Sequence, residues 1–526
     1  MATPTPTSTV AAGFLEPDPL VDRTDVRPVP PCALVVFGAS GDLFARKLMP
    51  GLAQLAADQV FPGRFAVVGV ARTAWSDNDF RRFAFDAIAA GGQGGPDRTS
   101  DPRWREIVSG FRYVTGDYDR DETYEQLATV LDEVDHVQGT AGNRLYYLAV
   151  PPTAFPTILA GIGRHHLQDP LDDAPDAFTR IVIEKPYGTD LHSAEELDRC
   201  VHAVFDESQV FRIDHFLGKE TVQNFLALRF ANAVFEPVWN RRYVDSVQIT
   251  VAESAGVGHR AAFYEQTGAV RDMVQNHVMQ VMALTLMEPP ISIEADGIRD
   301  EKVKALRAIE ILDEREVPEA TVRAQYTDGW VAGQLAPGYF DEPAVAPNSS
   351  TETYAALRLF VDNWRWAGVP FYVRTGKRLP RHVSEVAIQF HPAPHLPFQP
   401  DQVGRLEPDA LVVRIHPDEG VTLIFGSKVP GHGFDVRSVA MEFLYGAAFP
   451  EGIPDPYARL LMDALVGDST LFIRADEVMQ AWRIVDPILE AWAKDEPPLS
   501  LYRAGSWGPP EADALLHRDG RRWRRP

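Results

Sequence analysis

In the first part of this chain the apolar residues come in short unbroken runs. ALVVF (residues 33–37), FAVVGVA (65–71), LYYLAV (145–150) and RIVIE (180–184) lack the in-out alternation of a half-exposed strand. Such runs read as strands buried on both faces, the texture of a parallel sheet covered by helices. Segments with helical spacing, such as ETYEQLATVLDEV, separate them. The alternation predicts a doubly wound α/β domain over residues 31–212. GGQGGPDRT (91–99) reads as a flexible loop within it, and Ser193 with Glu196 as a capping box that opens a helix reaching about residue 205.

After residue 213 the texture changes. Helical patterns through FLALRFANAVF (225–235) and VRDMVQNHVMQVMALTLM (270–287) precede a series of alternating runs: SVQITVAE, PFYVRTG, EVAIQF, ALVVRIHP and GVTLIFGS. Period-two runs separated by turns predict an α+β domain over residues 213–515 with a large, mainly antiparallel sheet. Residues 1–30, rich in Thr, Pro and small side chains, read as a disordered tail, and residues 516–526 as a short, solvated basic tail.

At 526 residues the chain is long for one core, which fits two domains. A net charge of −23 argues against nucleic acid or an anionic membrane as a partner. No apolar run approaches the roughly 20 residues that span a bilayer, and the opening MATPTPTSTV lacks the basic and apolar regions of a secretory signal. Two cysteines, Cys32 and Cys200, make neither a disulfide framework nor a metal site, which suits a reducing cytoplasm. An acidic protein that handles anions must gather its cations locally.

RIDHFLGKE (212–220) is the densest such gathering. His215 and Lys219 stand four apart and would share one face of a helix, converging on a dianion, while Asp214 can orient a histidine brought from elsewhere. GASGDLFARKL (38–48) follows an apolar strand and leads into a helix, the context in which glycines let the backbone approach a pyrophosphate. Arg72 ends the second strand, where an NAD enzyme usually has an acid; an arginine there favours the 2′-phosphate of NADP. Lys185, in IVIEKPYGTDL, lies just past a strand, at the sheet edge where ligands sit.

Along VRDMVQNHVMQVM, residues Val270, Met273, Val274, Val278 and Val281 form an apolar stripe with His277 beside it. Asp272 and Asn276 share the neighbouring face, so an acid, an amide and an imidazole surround one cleft, as a general base with hydroxyl recognition requires. Glu253 ends SVQITVAE, and Arg374, Lys377, Arg378 and Arg381 crowd the turn after PFYV. Each feature also has a plain structural explanation: a solvated helix start, a tight turn, a surface arginine, a satisfied core histidine, a basic loop. No Cys/His metal spacing, HExxH, G-x-S-x-G or Walker lysine loop occurs, so no metal is expected, and hydrolase or kinase chemistry finds little support.

Taken in order, GASGDLFARKL, EKPYGTDL, RIDHFLGKE, DMVQNHVMQV, NSSTETYAALRLFVDNWRWAGVPFYVRTGKRLP and DSTLFIRADEVMQAWRIVDPIL resemble the signatures of the glucose-6-phosphate dehydrogenase family. The resemblance runs from about residue 33 to the C-terminal segment. It implies a Rossmann-like first domain and oxidation of glucose 6-phosphate at C1 to the lactone with reduction of NADP. That reaction is the first oxidative step of the pentose phosphate pathway, carried out by a homodimer or homotetramer.

By position, the resemblance implies His277 as proton acceptor and Asp214 as the carboxylate that orients it. His215 and Lys219 would bind the 6-phosphate, Glu253 and Asp272 the sugar hydroxyls, and Lys377 with His382 further parts of the substrate. Lys185 would touch both substrate and NADP. Gly38, Ala39, Ser40, Gly41, Asp42, Leu43, Phe44, Ala45, Arg72, Asp117 and Tyr118 would contact the coenzyme. The chain departs from the family at three places. Phe216 stands where a tyrosine is common, His382 where a second basic group is, and Phe155 where a tyrosine often follows the PPT turn. Two other readings stay open on the residues alone: another sugar dehydrogenase of the broader Rossmann class, and a non-catalytic NADPH-sensing or assembly protein derived from this fold.

Overall fold

The computed structural model describes residues 29–61, 64–91, 101–171, 174–398, 403, 406–431, 433–448 and 455–526. Nearly all of the N-terminal tail and of the glycine-rich loop read at 91–99 lies outside the described residues.

Six strands build the first sheet: β1 (Cys32–Phe37), β2 (Phe65–Ala71), β3 (Arg112–Thr115), β4 (Arg144–Leu148), β5 (Thr179–Ile183) and β6 (Val210–Arg212). They pair in parallel, in the order β3-β2-β1-β4-β5-β6. Every residue of β1, β2 and β4 is buried, as their unbroken apolar runs demand once helices cover both faces. The strand order reverses between β1 and β4, and the crevice at such a switch point is where α/β sheets take their ligands. The capping box is shifted from its expected position. Asp190 is the N-cap, its carboxylate accepting from the Ser193 N–H (2.7 Å) while the Ser193 hydroxyl oxygen accepts from the Asp190 N–H (3.1 Å).

The second sheet comprises β7 (Val244–Ala252), β8 (Thr321–Thr327), β11 (Tyr354–Leu359), β12 (Phe371–Gly376), β13 (Val383–Phe390), β14 (Ala410–His416), β15 (Gly420–Lys428), β16 (Val436–Leu444) and β17 (Ser500–Arg503). A separate ribbon joins β9 (Gly329–Val331) to β10 (Gln334–Ala336). The nine strands run β16-β15-β14-β13-β7-β12-β11-β8-β17. The β7–β12 and β8–β17 pairs are parallel and the rest antiparallel. Alternation sends Val247, Ile249 and Val251 of β7 into the core shared with the helix at 270–286, while Tyr372 and Ala252 join a second apolar cluster.

Two features depart from the sequence reading. The helices Pro456–Val466 and Ala475–Ala493 return from the second half of the chain to cover the first sheet. There Arg180 donates to the carbonyls of Ala464 (3.0 Å) and Leu465 (2.7 Å), Trp482 Nε1 donates to the Tyr187 carbonyl (3.0 Å), and Phe211 meets Phe472 edge-on. The basic C-terminal segment is not a solvated end. Trp523 is buried with Nε1 donating to the Ala512 carbonyl (2.8 Å), and Arg521 forms two 2.8 Å bonds with Asp245. A buried indole and matched acids dock a segment that its charge alone would leave in water.

Candidate active site

Asp214 stands two residues past β6, where Arg212 is pinned by Glu207 (2.7 Å) and Asp198 (2.9 Å). Its Oδ1 accepts from the Phe216 N–H (2.8 Å) and lies 2.5 Å from His277 Nδ1, and both side chains are buried. On the other side of the ring, His277 Nε2 is 2.9 Å from Lys185 Nζ, which also donates to the Asp272 carbonyl (3.0 Å) and to Asp272 Oδ1 (3.2 Å).

The helix carrying His277 is not the α-helix that the apolar stripe suggests. Residues Val270–Val278 wind as a π-helix, which continues as an α-helix over Met279–Leu286. In an α-helix, residues five apart point about 140° away from each other; i→i+5 winding stacks them. Asp272 and His277 are five apart, and the wider turn brings both to Lys185. Asn276 lines a cavity with Lys185, but its amide is spent on the backbone. Oδ1 accepts from the His277 N–H (2.6 Å) and Nδ2 donates to the Arg271 carbonyl (3.2 Å).

His215 and Lys219 do converge, though not on a helix. Residues 215–219 form a turn, and the helix Glu220–Phe230 begins with Lys219 as its N-cap. Gly218 sits so close to the next layer that a Cβ there would lie 2.7 Å from the Pro456 carbonyl oxygen, which fixes the turn. The His215 ring meets His277 edge-on at 4.5 Å, and Phe216 stacks on His277 at 4.4 Å with 13° between planes. Lys219 Nζ lies 4.3 Å from the Phe216 ring centre.

Parallel pairing of β7 with β12 sets Ala252 beside Gly376, so the next residues, Glu253 and Lys377, emerge together. They form an ion pair, and Lys377 Nζ is also 3.6 Å from Asp272 Oδ2. His382 packs on His416 at 4.1 Å between ring centres and feels the charges of Glu253, Lys219 and Lys377. Arg381 turns away, donating to the Pro526 carbonyl (3.2 Å).

Burial pushes the Asp214 carboxyl up, but the neighbouring His277 and His215 and the Phe216 N–H outweigh it and hold the group well below the usual carboxylate range. Burial lowers His277; Asp214 opposes that and Lys185 adds to it, leaving the imidazole below its ordinary value. Burial, His277 and Lys185 press His215 down much further. Asp272 is raised by burial but brought well below its normal range by Lys185 and Lys377. At neutral pH His277 is therefore uncharged. With ionised Asp214 on Nδ1, its proton belongs on Nδ1 and the Nε2 lone pair faces Lys185. Asp214, His215 and His277 offer ligand atoms within 4.8 Å of one another, but the Lys185 ammonium beside the imidazole disfavours a cation there.

At the switch point, Gly38 has φ +88° and a Cβ on it would lie 2.3 Å from the Ala149 carbonyl oxygen, so only glycine fits. The Ser40 hydroxyl accepts from that of Thr73 (2.9 Å), and Arg72 is exposed beside them. Tyr118 packs edge-on against Phe37 and is influenced by Arg72 and the Gly38 backbone, so it belongs to the same mouth, while Asp117 next to it is exposed. Ala39 and Phe44 point into the core and offer a ligand only their backbone.

A family model for the NAD binding domain of glucose-6-phosphate dehydrogenase matches residues 35–224, and one for its C-terminal domain matches residues 226–524. The chain belongs to the glucose-6-phosphate dehydrogenase family. It is 48% identical over 513 residues to glucose-6-phosphate 1-dehydrogenase 2 of Mycobacterium tuberculosis, covering 97% of this chain and 98% of that one. It is 44% identical over 501 residues to the Chlamydia pneumoniae enzyme, covering 95% and 97%. Among solved structures, a glucose-6-phosphate dehydrogenase in complex with its substrate superposes with a TM-score of 0.84 at 31% identity, covering 94% of this chain and 99% of that one. The Mycobacterium avium enzyme gives 0.78 at 37%, with the same coverage.

Within this member of the glucose-6-phosphate dehydrogenase family, three side chains close to the chemistry were missed by sequence reasoning. Tyr457 is influenced through a side-chain hydrogen bond by Glu184, lies 5.7 Å from Lys47 Nζ, and stacks at 6.4 Å on His215. Glu184 also accepts from the Tyr147 hydroxyl (2.5 Å). His416 closes over His382. Glu184 adjoins the Glu-Lys-Pro motif and could have been found there; Tyr457 and His416 carry no local signal.

Proposed function

We propose that this site oxidises glucose 6-phosphate at C1 to the 6-phosphoglucono-lactone with NADP as acceptor. The carrying observation is the Asp214–His277 pair, neutral on the imidazole and with Nε2 turned toward Lys185. His277 Nε2 takes the proton of the 1-hydroxyl, which displaces Lys185 from that lone pair; Asp272 retains the displaced ammonium. The imidazolium then formed lies against a fixed carboxylate, so charge appears where the protein is already arranged to receive it. Two electrons leave C1 as hydride, the proton goes to His277, and the C1–O bond becomes the lactone carbonyl. Bound NADP supplies the hydride acceptor.

The residues at the switch point fit that coenzyme: a glycine cradle at Gly38, the hydroxyls of Ser40 and Thr73, and an exposed guanidinium at Arg72 suited to the 2′-phosphate. His215, Lys219 and His382 receive the 6-phosphate, and Glu253, Asp272 and Lys377 the sugar hydroxyls. The chain works as a homo-oligomer, a reading supported by β16, where Val439, Met441 and Phe443 expose one apolar face. Its free cysteines, Cys32 and Cys200, suit the reducing cytoplasm, and no helix among the described residues is long and apolar enough to cross a membrane.

The test is NADPH formation by the purified protein with glucose 6-phosphate or glucose, and with NADP or NAD. The expected result is a kcat/KM at least about ten-fold higher for the phosphorylated sugar and for NADP, the scale of one charge-assisted contact in each case. Equal rates with glucose would overturn the substrate assignment.

A further inference from the structure

The last eight residues lie as a strap across the back of the nine-stranded sheet. Gln248 of β7 donates to the Arg522 carbonyl (2.9 Å) and accepts from the Arg524 N–H (2.8 Å). On β12, Arg374 is almost wholly buried and donates to the Arg524 carbonyl (2.6 Å) and to the Thr250 hydroxyl (3.0 Å). Its guanidinium lies over the rings of both Trp507 (4.8 Å) and Trp523 (4.5 Å). Arg524 Nε reaches Glu385 of β13 (3.0 Å), and the Pro526 carbonyl holds Arg381 in the turn that ends at His382.

Successive side chains of a strand point to opposite faces. Beyond the register shift that sets Asp245, the partner of Arg521, on the strap's side, the strap engages residues 248, 250 and 374, the even-numbered face. Glu253 and Lys377 continue the odd-numbered series, which at Val247, Ile249, Val251 and Val373 faces the main core. The strap is thus separated from the site by the thickness of the sheet, yet it fixes the three strands whose ends carry Glu253, Lys377 and His382. Asp214 and His277 ride on other elements, and none of the strap's hydrogen bonds among the described residues reaches those elements.

We propose that residues 519–526 are a positioning strap for the sugar-recognition side of the site. By holding β7, β12 and β13 from behind, the strap sets Glu253, Lys377 and His382 at the right distance from the Asp214–His277 pair. The inference rests on the substrate role given above to Glu253 and Lys377. Misplacing such groups by about 1 Å can cost on the order of 10²-fold, so a partial loosening is expected to raise KM for glucose 6-phosphate about ten-fold. KM for NADP should stay within about two-fold, and any fall in kcat should accompany the rise in KM for glucose 6-phosphate, because the same groups hold C1 before His277.

The experiment compares the full chain with a truncation lacking residues 519–526 and with Trp523→Leu. The latter keeps apolar bulk but loses the stacking on Arg374 and the N–H to Ala512, and provides a folded comparison should the truncation not fold. Lys377→Met runs in parallel, and thermal midpoints are recorded throughout. A selective rise in KM for glucose 6-phosphate in the strap variants supports the proposal. A lowered thermal midpoint with unmoved KM values, or equal changes in both KM values, overturns it. If Lys377→Met itself leaves KM for glucose 6-phosphate unchanged, the reading of the site has failed and the proposal falls with it. If Lys377→Met raises that KM and the strap variants do not, only the strap proposal is lost.

Discussion

Asp214→Asn separates the charge of this carboxylate from its shape. When His277 takes the substrate proton, an imidazolium forms with Nδ1 2.5 Å from Asp214 Oδ1. With charge centres about 4 Å apart and an effective dielectric of about 20, the attraction is roughly 4 kcal/mol. At about 1.4 kcal/mol per decade, its loss slows the chemical step on the order of 10³-fold. The Phe216 N–H donates to the same oxygen, which favours keeping the amide oxygen rather than its N–H toward Nδ1, so the variant removes the charge and leaves the tautomer in place. We expect kcat to fall about 10³-fold while KM for glucose 6-phosphate stays within a few-fold, because the carboxylate is buried behind the ring. Asp214 also raises the His277 pKa against the effect of burial, so the acid limb of the residual activity should move to lower pH. The assay is steady-state NADPH formation across pH, repeated with substrate deuterated at C1, where the slowed variant should express the full isotope effect. A folded variant that keeps kcat within about ten-fold of the wild type would refute the electrostatic role.

Arg72→Ala should weaken NADP far more than NAD, since only NADP presents the phosphate that the guanidinium clamps; equal loss for both coenzymes would make Arg72 structural. Lys219→Ala should lower kcat/KM for glucose 6-phosphate by about ten- to a hundred-fold while leaving glucose nearly unaffected, because one charge-assisted phosphate contact is worth roughly 1.5–3 kcal/mol. Phe216 offers no hydroxyl, so an undiminished preference for the phosphorylated sugar would place the phosphate elsewhere. Asp463 is pushed up to about 7 by burial, despite Arg459 at 3.1 Å. Its folded value exceeds its unfolded one, so its contribution to stability is present below the unfolded value and lost as pH rises through about 7. Asp463→Asn should therefore raise the thermal midpoint at about pH 8, by the equivalent of at most about 4 kcal/mol, and not at about pH 4. A pH-independent shift would contradict the assignment.

Signals that live within a few residues were legible in the sequence. The unbroken runs of β1, β2 and β4 follow from burial on two faces, and the Gly38 turn, Lys185 and Arg72 all stand at strand ends, where a parallel sheet puts ligands. His277 was found because it borders an apolar stripe. The winding beneath it was not, since composition does not separate a π-turn from an α-turn, and only the meeting of Asp272, His277 and Lys185 reveals why the wider turn matters. Likewise His215 and Lys219 converge by a tight turn pressed against Pro456, a neighbour far along the chain. Tyr457, His416 and the docked Trp523, which meets Tyr372 and Arg374, depend on partners from distant segments, which spacing along the chain cannot express.

The helices at 456–466 and 475–493 give the protein an awkward order of manufacture. They cover part of the first sheet but leave the ribosome long after it: at roughly 5–20 residues per second, on the order of tens of seconds after β6. Through that interval Phe211 waits for Phe472, and the Tyr187 carbonyl for the Trp482 indole. The first domain is continuous in sequence but incomplete as a folding unit. A nascent chain stalled before residue 456 presents a sticky, half-finished face, and chaperones that shield apolar surface should occupy the protein mainly in that window, releasing it once the C-terminal helices arrive.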